Sequence, residues 1–448
     1  MSASLHRERL PLSGADCFLR AFDAETLRWN GASHLSQLVL RLGPGFDLDR
    51  FRRVLADVVE ANPILRAPIR RDVGLGPPSY RLDCARRAAS PPLEIREADA
   101  PALPELFQRR LNEARSGRRG ELLRVDVVRH GEGRIGTDLA FTWLHMLFDG
   151  HGSERFVAFL EACGTEMCRP GDVPDADRPG AAPEIRLPQS LRERGAMATA
   201  WQHRMAGLSA SSVRSPAGPL RRVRQDLTYD LFSFSPEETA RISERASALA
   251  GFLTPMLFYL AAAIRAHHGV MRKRGAEPES YVVPLPVNLR PKGAEGGIFR
   301  TRVSMIWFQV RSTLVDDLQA LLDQLKEQRR RSIRDHQIEN GFAAMDFARF
   351  APTRVYTRMA RRALRGELCS FFFAYTDQFC LGLDRFFGAP LQNGFHAPAV
   401  PPSPGSGLVL SLRDGRLNYT HVRQQNVFDE AELDLLRGQL ARDLTGAG

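Results

Sequence analysis

The stretch FTWLHMLFDG, residues 141–150, decides how the rest of the chain is interpreted. An apolar run over 135–143 predicts a buried strand, and the pattern over 153–162 predicts a helix. His145 would therefore stand at the end of a strand, where its ring can reach into a cleft. Because the ordinary pKa of histidine is about 6.5, such a ring is a usable general base at neutral pH.

Three neighbours of His145 are candidates for supporting it. Asp149 would orient the imidazole or hold the turn, and Gly150 would permit a backbone conformation that other residues avoid. His151 lies on the same turn, where an exposed histidine is favoured over one that touches substrate. A histidine, an aspartate and a glycine at this spacing also occur by chance, so these residues alone leave a purely structural turn open.

The first half of the chain mixes strands and helices around this motif. Strands are predicted over 35–42, 122–128 and 135–143, the last two as an antiparallel pair, and Asp47 can cap a helix that ends before Pro63. Proline, glycine, aspartate and alanine dominate 169–187, and serine, proline and glycine recur over 209–219. The sequence therefore predicts a lobe over 1–175, a linker region over 176–220 and a second lobe over 221–448.

The second half carries clear helix and turn signals. Ser235-Pro-Glu-Glu238 has the pattern of a capping box with proline at the first helical position, and a helix that opens at Pro255 would end near Gly269. Asp414-Gly415 predicts a hairpin between 408–412 and 417–422. Since neither half alternates strands and helices strictly, the predicted fold class is α/β or α+β, with two lobes and antiparallel or mixed sheets.

Composition limits the partners of the protein. The net charge of +10 and the pI of about 9.7 fit a solvated basic surface, or attraction to coenzyme A phosphates, an acidic carrier protein or a membrane surface. The basic residues are spread along the chain without a nucleic-acid-binding motif, so no nucleic acid is expected. The histidines and cysteines form no ligand-spaced cluster, so no metal is expected.

Cellular location is predicted from three features. The six cysteines lack a regular framework, which indicates reduced thiols. The N-terminus lacks the apolar core of a signal peptide, and the longest apolar run, near 256–264, is too short for a bilayer. The sequence therefore predicts a cytoplasmic protein.

The motif resembles the His-x-x-x-Asp-Gly motif of the chloramphenicol acetyltransferase-like superfamily. That group includes peptide condensation domains, wax ester synthase/diacylglycerol acyltransferases, plant-type acyltransferases and polyketide-associated acyltransferases. The opening LPLSGADCF at 10–18 and the segment PLPVNLRP at 284–291 are also similar to these proteins. Leu144 departs from the pattern, since many relatives have a second histidine there, and the plant-type Asp-Phe-Gly-Trp-Gly motif is absent.

The resemblance implies a tunnel between the two lobes, with His145 midway along it. His145 would deprotonate an acceptor hydroxyl or amine, which then attacks a thioester carbonyl. Asp149 would be structural and paired with an arginine, and Arg290 is the candidate. Thr376 or Ser370 would donate to the oxyanion, although core packing with incidental hydroxyls is an equally good account of both.

Three functions remain in competition. The first is an acyltransferase of lipid or secondary metabolism, with acyl-CoA as co-substrate and a small-molecule or lipid acceptor. The second is a free-standing condensation enzyme that takes its donor from an acyl or peptidyl carrier protein. The third is a catalytically silent binding module, against which the intact His145, Asp149 and Gly150 argue. No bound cofactor is expected in any of them, and peripheral membrane contact is compatible with the first. The runs 371–373 and 386–387 are candidates for an acyl channel, although core packing is favoured for any single aromatic among them.

Overall fold

The computed structural model describes residues 9–71, 76–98, 105–178, 181, 185–218, 224–252, 254–290, 296–362 and 364–446. Pro291 and parts of the predicted linker, at 179–180, 182–184 and 219–220, lie outside the described residues.

The strands of the described residues are short to medium in length and come from both halves of the chain. In chain order they are β1 (Arg9–Pro11), β2 (Leu35–Leu42), β3 (Ile69–Arg70), β4 (Ser79–Arg81), β5 (Leu93–Ala98), β6 (Leu123–His130), β7 (Gly136–Leu144), β8 (Leu227–Ser233), β9 (Ser280–Asn288), β10 (Val303–Arg311), β11 (Phe372–Thr376), β12 (Arg385–Phe386), β13 (Ala389–Ala397), β14 (Ser406–Arg413) and β15 (Arg416–Gln424).

The α-helices of the described residues flank these strands. They are α1 (Gly14–Asn30), α2 (Leu48–Ala61), α3 (Glu105–Arg110), α4 (Gly150–Gly164), α5 (Leu191–Leu208), α6 (Pro236–Ala250), α7 (Pro255–Lys273), α8 (Leu318–Arg334), α9 (Gln337–Ala348), α10 (Thr353–Arg362) and α11 (Glu430–Thr445).

The first large sheet has six strands in the order β12-β13-β2-β7-β6-β5. All pairs are antiparallel except β5 with β6. Strand β7 is buried along its whole length, because it lies inside the sheet. One face carries large apolar side chains, and on the other Asp138 and Thr142 are hydrogen-bonded to neighbouring strands. Strands β12 and β13 come from the second half of the chain, so both halves contribute to this sheet.

A second sheet has four strands in the order β11-β14-β15-β8, and β9 and β10 form a separate antiparallel pair. Strand β11 runs parallel to β14, so this sheet is mixed as well. Asp414 and Gly415 join β14 to β15 with positive φ angles of 47° and 70°, as the Asp-Gly signal predicts. One apolar core lies against the six-stranded sheet, and a second lies between the four-stranded sheet, α7 and α11. The predicted α/β class with mixed sheets is confirmed.

The start of α6 and the end of α7 can be compared with the boundaries predicted from the sequence. Ser235 accepts from the backbone N–H of Glu238 and the Glu238 carboxylate accepts from Ser235, so the predicted capping box is present. The helix that opens at Pro255 passes Gly269 and ends at Lys273, because Gly269 packs against Leu435 of α11 and the helix remains buried. No single helix among the described residues is long and apolar enough to cross a membrane.

Candidate active site

A cavity of about 190 Å³ lies where the six-stranded sheet faces the β9–β10 pair and the four-stranded sheet. Side chains from both halves of the chain line it. They include His34, His145, Pro286, Thr301, Thr376 and His396. The cavity is therefore formed only when the two halves pack together, and His145 reaches it from the end of β7.

The register of β2 and β7 places a second histidine beside His145. Leu35 lies opposite Leu144, so the residues just beyond the pair, His34 and His145, are also neighbours. The backbone N–H of His145 donates to the His34 carbonyl at 3.2 Å. The two rings stack with their centroids 5.6 Å apart. His34 is thus a site residue that no local sequence pattern indicates.

The backbone carbonyl of Phe148 determines which nitrogen of His145 is available. It accepts hydrogen bonds from Nδ1 of His145 at 3.2 Å and from Nε1 of Trp143 at 2.9 Å. Because a carbonyl oxygen can only accept, Nδ1 of the neutral ring carries the hydrogen. The Nε2 lone pair is then left to act as a base, and it has no hydrogen-bond partner among the described residues.

Burial lowers the pKa of both histidine rings. Burial lowers the pKa of His145, and the hydrogen bond to Phe148 opposes that shift only in part. Burial also lowers the pKa of His34, and proximity to His145 lowers it further. Both rings are therefore neutral near pH 7, the form in which His145 can accept a proton.

Asp149 does not contact the His145 ring through a hydrogen bond; its carboxylate supports the turn. One oxygen accepts from the backbone N–H of Gly152 at 2.7 Å and so caps α4. The other oxygen accepts from the backbone N–H of Arg302 at 2.7 Å. Nη1 of Arg290 lies 2.9 Å from both oxygens. Arg290, the predicted partner, is thus paired with Asp149, and the two residues are only 7% and 3% exposed.

This pair joins the two halves of the chain beneath the cavity. Burial alone would raise the pKa of Asp149, but the Arg290 guanidinium and the backbone hydrogen bonds hold it below its ordinary value. A second buried ion pair joins Arg302 to Asp177 at 2.9 Å. It holds the backbone around Arg302, whose N–H binds Asp149. The backbone N–H of Arg300 also donates to Leu147 at 2.7 Å. The turn after His145 is therefore held from several sides.

Gly150 does not have the role that the sequence predicted. It is the first residue of α4 and is not among the residues with positive φ. A Cβ atom at Gly150 would make ordinary contact with His396, at 3.8 Å. Gly152 is the restricted position, because a Cβ there would lie 2.4 Å from the carbonyl oxygen of Ile298 and 3.0 Å from Nη2 of Arg290. Glycine is therefore required at position 152, because the Asp149–Arg290 pair and its surroundings pack closely there. A strained turn is not the reason.

The two predicted oxyanion donors lie in different places. Thr376 lines the cavity. Ser370 is buried outside the cavity lining, and its Oγ accepts from the backbone N–H of Val282 at 3.1 Å. Ser370 is therefore wrong as a cavity residue, because it serves to join β9 to the chain before β11. Thr301 was missed: it lines the cavity, and its buried hydroxyl has no hydrogen-bond partner among the described residues.

A histidine and a carboxylate form a second polar pair in the cavity wall. Nε2 of His396 lies 2.8 Å from Oε1 of Glu154, which projects from α4. The other oxygen of Glu154 accepts from the backbone N–H of Cys380 at 3.2 Å. His396 reaches the cavity because β13 crosses to the first sheet and pairs with β2. No local sequence pattern identifies His396, since this crossing pairs it with Leu38, more than 350 residues away.

The remaining predicted positions are divided between cavity and core. His151 lies near the start of α4 and does not line the cavity. Phe372 and Phe373, from the first aromatic run, line the cavity. Phe386 and Phe387 instead pack around Phe51 in the first core, in agreement with core packing as the account of these two rings. No group of three or more potential ligands that could hold a metal ion is found in the described part of the chain.

Solved structures with this architecture are known, although no family model matches the chain and no curated protein sequence matches it. The trichothecene 15-O-acetyltransferase of Fusarium sporotrichioides has a TM-score of 0.69 at 11% sequence identity, with 98% of this chain and 94% of that chain covered. The first condensation domain of the CDA synthetase has a TM-score of 0.68 at 14% identity, with 98% and 95% covered.

Polyketide synthase associated protein 5 of Mycobacterium tuberculosis is also similar, with a TM-score of 0.61 at 15% identity over 98% of this chain and 99% of that chain. At such low identities the likeness establishes the fold alone. The chain shares its two-lobed fold with these acetyltransferase and condensation-domain structures, and each likeness covers 98% of the chain.

Proposed function

We propose that this protein transfers an acyl group from a thioester to a hydroxyl or amine, with Nε2 of His145 as the general base. The observation that carries the proposal is the hydrogen bond from Nδ1 of His145 to the Phe148 carbonyl. It leaves the Nε2 lone pair unprotonated in a cavity between the two halves of the chain. The fold shared with acyl-transferring and condensation enzymes supports the same reaction class.

The reaction can be written with the residues of this chain. Nε2 of His145 takes the proton from the acceptor O–H or N–H as the acceptor atom attacks the thioester carbonyl carbon. The resulting tetrahedral oxyanion collapses, the C–S bond breaks, and the thiolate receives the proton that His145 took up. Base catalysis of this kind contributes roughly 10²–10⁴ in rate, and holding both substrates in the cavity supplies a further share.

Two hydroxyls are the candidates for stabilising the oxyanion. Thr376 and Thr301 both line the cavity, and the buried hydroxyl of Thr301 has no hydrogen-bond partner within the described part of the chain. An unpaired buried hydroxyl is costly unless something in the working enzyme accepts its hydrogen. The developing negative charge on the carbonyl oxygen is such an acceptor. Thr301 is therefore a candidate for this role beside Thr376.

The pH dependence of the reaction follows from the burial of His145. Since burial lowers the pKa of His145, the ring stays unprotonated as the pH falls through its ordinary value of about 6.5. The acid limb of kcat/KM is therefore expected to lie below pH 6.5, measured with a saturating co-substrate from about pH 5 to 9. A limb centred above pH 6.5 would contradict the assignment.

A nearby carboxyl provides the control for this profile. Burial raises the pKa of Asp23 to about 6, and its carboxylate accepts from the backbone N–H of His34. The Asp23→Asn variant removes that titration. If the limb arises from His145, it persists in this variant.

The donor is proposed to be acyl-CoA, and a carrier-protein thioester is the second candidate. The similarity to the condensation domain of a synthetase favours the second candidate. So does the exposed arginine row Arg354, Arg358 and Arg362 on α10, which suits an acidic partner.

Release of free thiol by the wild-type chain would be measured with acyl-CoAs and with acylated carrier proteins, with mixed alcohols and amines present. Acceptor-dependent release from either donor supports acyl transfer and identifies the donor class, while release from neither rejects the proposal.

A further inference from the structure

A second and larger cavity, of about 630 Å³, lies beside the one that contains His145. Helices α1, α5, α9 and α10 and strands β10 and β11 enclose it. Its volume falls within the range of about 300–1,000 Å³ that is typical of small-molecule pockets. The cavity is thus large enough for a substantial part of a substrate.

The two cavities adjoin. Phe22 of α1, Met305 of β10 and Phe372 of β11 line both of them. A molecule in the larger cavity therefore lies directly next to the space that His145 faces.

The larger cavity exists because one face of α9 carries small residues. Gly341, Ala344 and Ala348 recur at helical spacing and all line it. Trp201 of α5 closes over this face, so closely that a Cβ atom at Gly341 would lie 3.1 Å from its ring. Trp307 of β10 packs edge-on to Trp201, with ring centroids 6.4 Å apart.

The walls of the larger cavity are mainly apolar. Beside the aromatic rings, its lining includes the methionines Met205, Met305, Met345 and Met359. Its polar side chains are Gln202, Ser209, Ser304 and Arg362. Methionine side chains are flexible and adapt to apolar groups of different shapes. Among the described residues, Nε1 of Trp307 is buried without a hydrogen-bond partner. One polar atom on an otherwise apolar ligand would therefore be accommodated.

The rim of the larger cavity carries exposed apolar groups beside the charged Arg362. Met359 lines the cavity and is nevertheless 54% exposed. Phe347, Phe350 and Val355, from α9, α10 and the turn between them, are also exposed. Exposed apolar groups that adjoin an apolar cavity indicate a binding site more often than singly scattered exposed apolar groups do.

We propose that the larger cavity holds a medium- or long-chain hydrocarbon tail of the substrate, which belongs either to the acyl group or to a lipid-like alcohol. The proposal rests on the proposed function in placing the reacting end of that molecule at His145. Each methylene group that enters the cavity is expected to strengthen binding by up to about fourfold. Affinity should therefore rise steeply with chain length.

Two of the four tryptophans, Trp201 and Trp307, line the cavity and report on its contents. The full chain would be titrated with 12-bromododecanoyl-CoA in one arm and 12-bromododecan-1-ol in the other, because a bromine atom quenches tryptophan fluorescence on contact. Shorter bromoalkyl homologues of each probe supply a chain-length series. Saturable quenching that tightens with chain length is expected in at least one arm, and that arm identifies the source of the tail.

A matched pair of variants locates the binding. Ala344→Phe should fill the cavity and weaken binding at least tenfold, whereas Ala240→Phe, at an exposed position on α6, should leave it unchanged. Quenching in neither arm, affinity independent of chain length in the wild-type chain, or equal binding by the two variants would overturn the proposal. The wild-type series stands even if Ala344→Phe does not fold.

His145→Ala separates this inference from the proposed function. The variant should bind the probes like the wild type, since His145 does not line the larger cavity. Normal binding without acyl transfer by the wild type would reject the function and keep the hydrocarbon site. Acyl transfer with no preference for longer chains would keep the proposed function and reject the hydrocarbon site.

Discussion

Asp149→Ala is expected to lower the free energy of unfolding by about 3–5 kcal/mol, because it leaves the buried guanidinium of Arg290 without its partner. The same change removes the cap of α4 and the acceptor for the backbone N–H of Arg302. Denaturant unfolding of the variant and the wild type, monitored by circular dichroism, measures the difference.

Asp317→Ala is the matched control for this experiment. Asp317 caps α8 through the backbone N–H groups of Gln319 and Ala320, but it is exposed and its carboxylate is not part of a buried pair. Loss of such a cap costs about 1 kcal/mol. If Asp149→Ala were no more destabilising than Asp317→Ala while activity disappeared, Asp149 would act on the chemistry and not on the fold.

His145→Ala is expected to reduce kcat by roughly 10²–10⁴ with little effect on stability. The ring is partly exposed in the cavity and makes one side-chain hydrogen bond among the described residues, to Phe148. Its removal therefore leaves no buried charge and only a small space beside His34. Steady-state rates together with unfolding curves for each variant check both parts of this prediction.

His151→Ala provides the comparison for His145→Ala. His151 lies six residues further on, on α4 and outside the cavity lining, so its loss should change kcat by less than a factor of about two. Equal losses in the two variants would indicate a local disturbance of the turn. They would argue against a base at His145.

The turn after β7 could be predicted because its features are local in sequence. A buried apolar strand, a histidine at its end and an aspartate that caps the next helix all fall within ten residues. Arg290 was found through resemblance, and the hydrogen bonds of its guanidinium explain why arginine stands there. Helix α1 was missed, although Ser13 and Asp16 form a capping box whose spacing is visible in the sequence.

Other site residues depend on distant pairing that no local pattern encodes. His34 reaches His145 because β2 pairs with β7, and His396 reaches the cavity because β13 pairs with β2. The buried hydroxyl of Thr301 is positioned by Asp16, whose carboxylate accepts from the Thr301 backbone N–H at 2.9 Å. A serine or threonine hydroxyl looks the same in sequence whether it faces a cavity or, like Ser370, joins two segments of backbone.

Formation of the new ester or amide tests the role of His145 most directly. Wild type and His145→Ala would be incubated with the donor and acceptor that give thiol release, and the acylated acceptor would be quantified by mass spectrometry over time. We predict acylated acceptor from the wild type and at least a 100-fold lower rate from the folded variant. Equal rates of product formation by the two proteins would contradict it.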